Sequence, residues 1–209
     1  MRRKRYAALL LALLLLLAGC GQQGNDAPAP ESSAQEQTKP EPALRPAGQD
    51  GAAVLVKELA VELVVPWERS DGLLSRLEDM QRLLQAGLSA GAYDVEKVTV
   101  TISTAGGITA DALAQGGIDV AFLPGEDYLA CADSAGAVLT GGELPAETVV
   151  ALGAGAEEAF GEALAKALLE TEEGQAFLEL YDPALTLELA QEADLQALAE
   201  RAEEEEYGA

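Results

Sequence analysis

The stretch that decides the fold runs from residue 98 to residue 125, with the sequence VTVTISTAGGITADALAQGGIDVAFLPG. Its first five residues alternate apolar side chains with threonine, which is typical of a β-strand. Gly106 and Gly107 lead into a short segment predicted to be helical, and a second glycine pair ends it. Residues 118–123 are then almost entirely apolar, as in a buried strand, and Pro124-Gly125 turns the chain. A strand, a helix and a buried strand in succession predict an α/β fold with parallel strands.

The same alternation continues on both sides of this stretch. Residues 59–65 read as a strand that Pro66 ends, and the following apolar residues share one face of a helix that Ser70 and Asp71 could cap. Further strands are predicted at 137–140 and 148–152, and residues from 156 onward are predicted to be helical. We therefore predict that residues 54–209 form one α/β lobe, a mostly parallel sheet flanked by helices.

The amino terminus has the pattern of an export signal. Four basic residues at positions 2–5 precede 13 residues, 6–18, that are apolar. A membrane-spanning helix needs about 20 such residues, so the run fits a signal peptide better. Leu17-Ala18-Gly19-Cys20 resembles the bacterial lipobox, which implies a signal peptide at 1–19 and a lipidated Cys20. An ordinary secretory signal with an incidental cysteine is the alternative.

Residues 20–53 are rich in Gln, Pro, Ser, Glu and Gly and have few apolar side chains to bury. Such a segment is predicted to be a disordered tether. Multiple acyl chains on Cys20 would hold the protein firmly on the membrane. The expected location is therefore the extracytoplasmic face of the cell membrane, with a lipid anchor. Cys131 is the only other cysteine, so no intrachain disulfide is expected.

Composition excludes several classes of function. The 209 residues contain 36 acidic and 13 basic side chains, a formal net charge of −23, and no histidine. Cleavage before Cys20 would remove four basic residues and no acidic one, which deepens the charge to −27. Nucleic-acid affinity depends on basic residues that neutralise phosphates, so no nucleic-acid partner is expected. The absence of histidine excludes Ser-His-Asp and Cys-His catalysis and histidine-built zinc sites.

No enzyme motif takes their place. The sequence has no dinucleotide-binding fingerprint, no P-loop and no Gly-x-Ser-x-Gly elbow. Its acidic pairs, at 126–127, 157–158 and 172–173, each fall where a helix is predicted to begin, and acidic residues in a first turn favour the helix dipole. We predict no enzymatic activity, no cofactor and no metal site.

The turn at residues 103–107 is the best candidate for a binding site. It follows the carboxyl end of a strand and precedes a helix, which is where open α/β sheets bind ligands. Free backbone N–H groups at a helix start attract oxyanions without any basic side chain. Simple helix capping by Ser103 or Thr104 is the alternative.

Several stretches together resemble the substrate-binding lipoproteins of phosphate, phosphite and phosphonate ABC transporters. The most specific is residues 116–125, GGIDVAFLPG, which resembles the family's pattern G-x-x-D-[IV]-[AG]-F-[IL]-P. Residues 64–66, 91–98, 145–150 and 172–177 match collinearly with it. The resemblance implies a periplasmic-binding-protein type of lobe with hinge closure onto a second lobe. In the family that second lobe lies between the strand at 138–140 and the return at 145–147, which only residues 141–144 join here, so most of it is missing.

The resemblance implies a membrane-anchored solute-binding component of an ABC uptake system. Its ligand would be a small oxyanion (phosphate, phosphite or phosphonate), and its protein partner would be the ABC permease. The implied ligand-binding residues are hydroxyl donors, backbone donors, a facing rim and a second wall: Ser103 and Thr104; Gly106 and Gly107; Pro124, Gly125 and Tyr128; Trp67 and Ser70. The alternative is a degenerate one-lobed lipoprotein, a structural or protein-interaction module without a small ligand.

Overall fold

A computed structural model describes residues 53–141, 148–154 and 156–208. The predicted signal peptide, Cys20 and the tether as far as residue 52 lie outside the described residues. The strands of the described part are β1 Val54–Val56, β2 Leu59–Val64, β3 Tyr93–Val95, β4 Val98–Ser103, β5 Val120–Pro124, β6 Gly136–Gly141, β7 Thr148–Leu152 and β8 Leu187–Leu189. Its helices are α1 Trp67–Leu74, α2 Leu77–Ser89, α3 Gly106–Ala114, α4 Gly125–Leu129, α5 Glu158–Glu170, α6 Glu172–Tyr181 and α7 Glu192–Gly208.

Six strands form one sheet in the order β4-β2-β5-β7-β6-β8. The β4–β2 and β2–β5 pairs are parallel, whereas β7 is antiparallel to both β5 and β6, and β8 is antiparallel to β6. Four of the six strands therefore run in the same direction. β1 and β3 form a separate parallel pair. The prediction of an α/β lobe with a mostly parallel sheet flanked by helices is confirmed.

Helices cover both faces of the sheet because successive strand residues point to opposite faces. One face buries Leu63, Phe122 and Val150 against α2, α5 and α6, and it holds most of the core. The other face buries Leu123 and Val149 against α3 and α4. Cys131 is buried beneath this second face with a free thiol, and burial raises its pKa. The core is mainly apolar, so the polar groups that could bind a ligand lie at the ends of the strands.

The prediction of one continuous helix after Pro66 is wrong. Apolar residues keep their helical spacing on both sides of Ser75, but α1 ends at Leu74 and α2 begins at Leu77. Ser75 donates its hydroxyl hydrogen to the carbonyl oxygen of Gly72, 2.9 Å away, and Arg76 precedes the new helix. Ser70 and Asp71 lie inside α1 and do not cap it, because α1 already begins at Trp67.

The prediction of a short connection where a second lobe would be inserted falls partly on residues 142–147, outside the described residues. On either side of them, β6 and β7 are direct neighbours in the sheet, and Gly141 lies opposite Thr148. Within the described part of the chain, no helix is both long enough and apolar enough to cross a membrane.

Candidate functional site

The candidate site lies at the edge of the sheet where β2, β4 and β5 end. These three strands are parallel neighbours, with Val64 opposite Ser103 and Leu63 opposite Phe122. Their carboxyl ends therefore meet at one edge, which we call the carboxyl edge. α1 and α3 follow β2 and β4 directly, so both helices begin there with their free backbone N–H groups. The short helix α4 follows β5 at the same edge.

The two hydroxyl residues of the turn do not cap α3. Ala105 is the residue before the helix, and no side chain bonds to the helix start there. Ser103 instead accepts a hydrogen bond from the backbone N–H of Ala105, with 3.1 Å between the nitrogen and Oγ. Thr104 is exposed. The capping alternative is therefore wrong for Ser103 and Thr104, and the start of α3 has no local side-chain cap.

A carboxylate from another helix lies against the start of α3 instead. The position that a Cβ atom on Gly106 would take is 1.8 Å from Oδ2 of Asp127. A side chain at position 106 would therefore require the Asp127 carboxylate to move. Burial raises the pKa of Asp127, and the neighbouring carboxylate of Glu126 adds to the effect. An anion at Gly106 or Gly107 would meet a resident negative charge.

A second carboxylate lies beneath the first turns of α3. Thr109, which is buried on α3, donates its hydroxyl hydrogen to Oε1 of Glu62, 2.5 Å away. Thr101 on β4 donates to Oε2 of the same side chain at 3.1 Å. Glu62 therefore joins β2, β4 and α3 through hydrogen bonds and adds negative charge near the candidate site. The sequence pattern of β2 predicts a strand and does not indicate that Glu62 lies at the site.

The remaining predicted site residues divide into those at the edge and those turned away from it. Trp67 is 69% exposed at the first position of α1. Ser70 donates its hydroxyl hydrogen to the carbonyl oxygen of Trp67 at 2.7 Å. Pro124 and Gly125 join β5 to α4 at the edge, with Gly125 buried. Tyr128 is buried, and its hydroxyl donates to the carbonyl oxygen of Ala135 at 3.4 Å, away from the edge.

Contacts from the end of α6 hold the carboxyl edge in place. The buried hydroxyl of Tyr181 donates to the carbonyl oxygen of Val64, the last residue of β2, at 3.3 Å. Arg69 on α1 lies over the Tyr181 ring, 5.9 Å from its centroid, and donates to the backbone carbonyl of Tyr181. Its guanidinium also pairs with Asp182 at 2.7 Å. Sequence reasoning missed these residues, because the pattern of α6 shows only that Tyr181 is apolar enough to be buried.

No group of three or more Cys, Asp or Glu side chains in the described residues is arranged to hold a metal ion. The carboxyl edge offers backbone N–H groups, hydroxyls and carboxylates to a ligand.

No protein-family model matches the chain, and no curated protein matches it. Two solved structures of XAC2383 from Xanthomonas citri have a similar fold. One is bound to a chloride ion, with a TM-score of 0.53, and covers 68% of this chain and 95% of its own chain. The other is bound to ATP, with a TM-score of 0.52, and covers 69% of this chain and 95% of its own. Both are 6% identical to this chain, so the likeness shows the fold alone.

Proposed function

We propose that this chain is the membrane-anchored solute-binding component of an ABC uptake system of the phosphate, phosphite or phosphonate type. It acts as a single lobe that takes a small oxyanion at the carboxyl edge. The observation that carries the proposal is the convergence of α1 and α3 on that edge, with Gly106 and Gly107 opening α3. Exposed backbone N–H groups at two helix starts attract an anion without basic side chains.

The bound states of the similar structures support an anion as the ligand. The XAC2383 structures hold chloride in one case and ATP in the other, and both ligands are anionic. The lipobox and the strand pattern at 116–125 support the extracytoplasmic location and the uptake system. The implied protein partner is the ABC permease, and Cys20 supplies the lipid anchor.

Asp127 sets the condition under which such binding occurs. Its carboxylate lies against Gly106, so an oxyanion at the start of α3 must displace it or bind while it is protonated. The raised pKa of Asp127 makes protonation easier than for an ordinary aspartate. Oxyanion affinity should therefore increase as the pH falls toward the range in which carboxylates titrate, provided that the ligand keeps its charge.

Thermal unfolding in the presence of phosphate, phosphite and methylphosphonate tests the proposal. A ligand at 100 times its dissociation constant stabilises the fold by about 2.7 kcal/mol. We expect Asp127→Asn to bind more tightly than the native protein and to lose the pH dependence. Glu126→Gln is the matched control, because it removes the same charge from the neighbouring position. If no oxyanion shifts the melting temperature of either the native protein or Asp127→Asn at millimolar concentrations, the lobe does not bind a small oxyanion.

A second candidate function is a protein-interaction lipoprotein without a small ligand. Two large apolar side chains are exposed where α1 and α3 begin, Trp67 at 69% and Ile108 at 70%. We infer from their position at one edge that these two side chains form part of a contact surface for another protein. In a two-lobed relative this edge would face the second lobe, which the sequence here lacks room to form.

Site-specific photo-cross-linking in intact membranes tests this second function. We expect cross-linkers at positions 67 and 108 to capture the same partner. Leu55, 50% exposed on β1 before the start of β2, is the matched control and should capture nothing in common with them. Equal labelling from all three positions, or none from any, would reject a defined contact at the carboxyl edge.

A further inference from the structure

A cavity lies at the opposite edge of the sheet from the candidate site. Leu152 ends β7 opposite Val120, the first residue of β5, so the cavity is next to the amino end of β5. Its volume is about 370 Å³, within the range of roughly 300–1,000 Å³ that is usual for small-molecule pockets. Its walls are mainly apolar and come from β6, β7, β8, α5 and the segment before α5: Ala137, Val138, Leu152, Ala156, Ala165 and Leu189.

Three carboxylates line the same cavity. Glu157, Glu158 and Glu162 come from the residue before α5 and from its first two turns. No lysine or arginine lines this cavity, and none of the three glutamates forms an ion pair within the described residues. The sequence has no basic residue between Lys97 and Lys166, which spans every lining residue except Leu189.

The field in this cavity favours a cation. The amino end of α5 contributes about half a positive charge, which Glu157 and Glu158 oppose. The three carboxylates together outweigh that partial charge. A purely ionic ligand would gain nothing from the apolar walls, and a neutral apolar ligand would gain nothing from the carboxylates. The combination fits a molecule that carries both an apolar body and a positive charge.

We infer that this cavity is a binding site for a small organic cation, a protonated amine with an apolar body. The body lies against Val138, Leu152 and Leu189, and the ammonium group lies at the glutamate rim. This site is separate from the carboxyl edge and does not depend on the oxyanion proposal.

A substitution at Gly136 can fill the cavity. It lines the cavity at the start of β6, and a Cβ atom added there meets nothing within 4 Å. Gly136→Leu should therefore fill the space without disturbing the fold. Gly72 on α1 also has open space around its Cβ position and does not line this cavity, so Gly72→Leu is the matched control.

Binding of phenethylammonium, followed by chemical-shift titration of the folded protein, tests the inference. We expect saturable shifts in residues of β6 and α5 at neutral pH, and at least tenfold weaker binding of the neutral analogue phenethyl alcohol. Glu158→Gln and Glu162→Gln should each weaken binding about two- to fivefold, in line with exposed charge pairs, and added salt should weaken it as well. Gly136→Leu should abolish the shifts, whereas Gly72→Leu should leave them unchanged.

Three results would overturn the inference. The first is the absence of shifts at about 10 mM probe, a concentration that would occupy even a site with a millimolar dissociation constant. The second is equal binding of phenethyl alcohol with no effect of the glutamate variants, which would show an apolar cavity without cation selectivity. The third is undiminished binding to Gly136→Leu with an unchanged melting temperature, which would place the probe elsewhere.

Discussion

Replacing Tyr181 with phenylalanine tests how the carboxyl edge is held in place. The substitution removes only the hydroxyl that donates to the carbonyl oxygen of Val64, at 3.3 Å. The backbone carbonyl that Arg69 binds and the ring beneath its guanidinium both remain. Any change in stability therefore reports on one buried hydroxyl and its hydrogen bonds, to the carbonyl oxygen of Val64 and to the side chain of Thr148.

The expected difference in unfolding free energy has one contribution at neutral pH and a second at alkaline pH. A buried hydrogen bond contributes about 0.5–1.5 kcal/mol, so at pH 8 the native protein should be more stable than Tyr181→Phe by about 1 kcal/mol. Burial raises the pKa of Tyr181 from 10.0 to about 12, against the opposing effect of the Arg69 charge. The unfolded chain therefore loses this proton before the folded protein does. The stabilisation is complete below about pH 10 and is lost as the pH rises toward 12.

The alkaline loss is large enough to reverse the order of stability. A pKa difference of two units corresponds to about 1.4 kcal/mol at pH 11 and approaches about 2.7 kcal/mol above pH 12. Tyr181→Phe cannot lose a phenolic proton, so it escapes this loss. We expect the two proteins to be equally stable near pH 11 and the variant to be the more stable at pH 12.

Urea unfolding at intervals from pH 8 to pH 12 measures the difference directly. Burial also raises the pKa of Tyr93 and Tyr128, but these groups are the same in both proteins and cancel in the difference. Tyr93→Phe is the matched control at pH 8, because the buried Tyr93 hydroxyl has no hydrogen-bond partner among the described residues, and its removal should cost nothing. A native-minus-variant difference that stays constant from pH 8 to pH 12 would refute the burial and hydrogen bond assigned to Tyr181.

Four further predictions follow from single positions. Asp119→Asn should gain stability relative to the native protein as the pH rises from 3 to 7. Burial raises the pKa of Asp119, so the native fold loses stability as this carboxyl group ionises, and asparagine cannot ionise. Urea unfolding of both proteins across pH 3–7 measures the difference, and a pH-independent difference would contradict the prediction. Gly174→Ala should destabilise the fold by about 1–3 kcal/mol or prevent folding, since its Cβ would lie 1.9 Å from the backbone oxygen of Ala167. Gly72→Ala, whose Cβ meets nothing within 4 Å, should instead stabilise α1 by about 0.5–1 kcal/mol, and urea unfolding measures both glycine variants. Cys20→Ala should release the protein from membranes and abolish incorporation of labelled fatty acid; retention of both would refute the lipid anchor.

The sequence predicted the long strands well because their patterns are long enough to read. Residues 148–152 were predicted as a strand, and β7 is Thr148–Leu152. Residues 59–65 were predicted, and β2 is Leu59–Val64. β1, β3 and β8 have three residues each, which is too short for alternation to be distinguished from a loop. Their positions depend on pairing with strands far along the chain, as in the pairing of β8 with β6.

The candidate site was only partly predictable, for a similar reason. The spacing of glycines and strand ends placed Gly106 and Gly107 at the carboxyl edge, since that depends on local pattern and on the rule for parallel sheets. The sequence pattern predicts only that Asp127 stabilises the start of its own helix. Its side chain lies instead against Gly106, 21 positions earlier, because α3 and α4 pack side by side. A contact between two helices cannot be read from the pattern of either one.

The same charge distribution has opposite consequences at the two ends of the sheet. Between Lys97 and Lys166 the sequence carries acidic side chains and no basic one, and this interval supplies α3, α4 and the start of α5. At the carboxyl edge an oxyanion must gain enough from backbone N–H groups to offset repulsion from Asp127 and Glu62. At the cavity beside α5 a cation meets three glutamates that already attract it. Added salt screens both fields, so it should favour oxyanion binding at the first site and weaken amine binding at the second. The net charge that opposes the ligand implied by the family resemblance therefore supports the ligand inferred from the cavity.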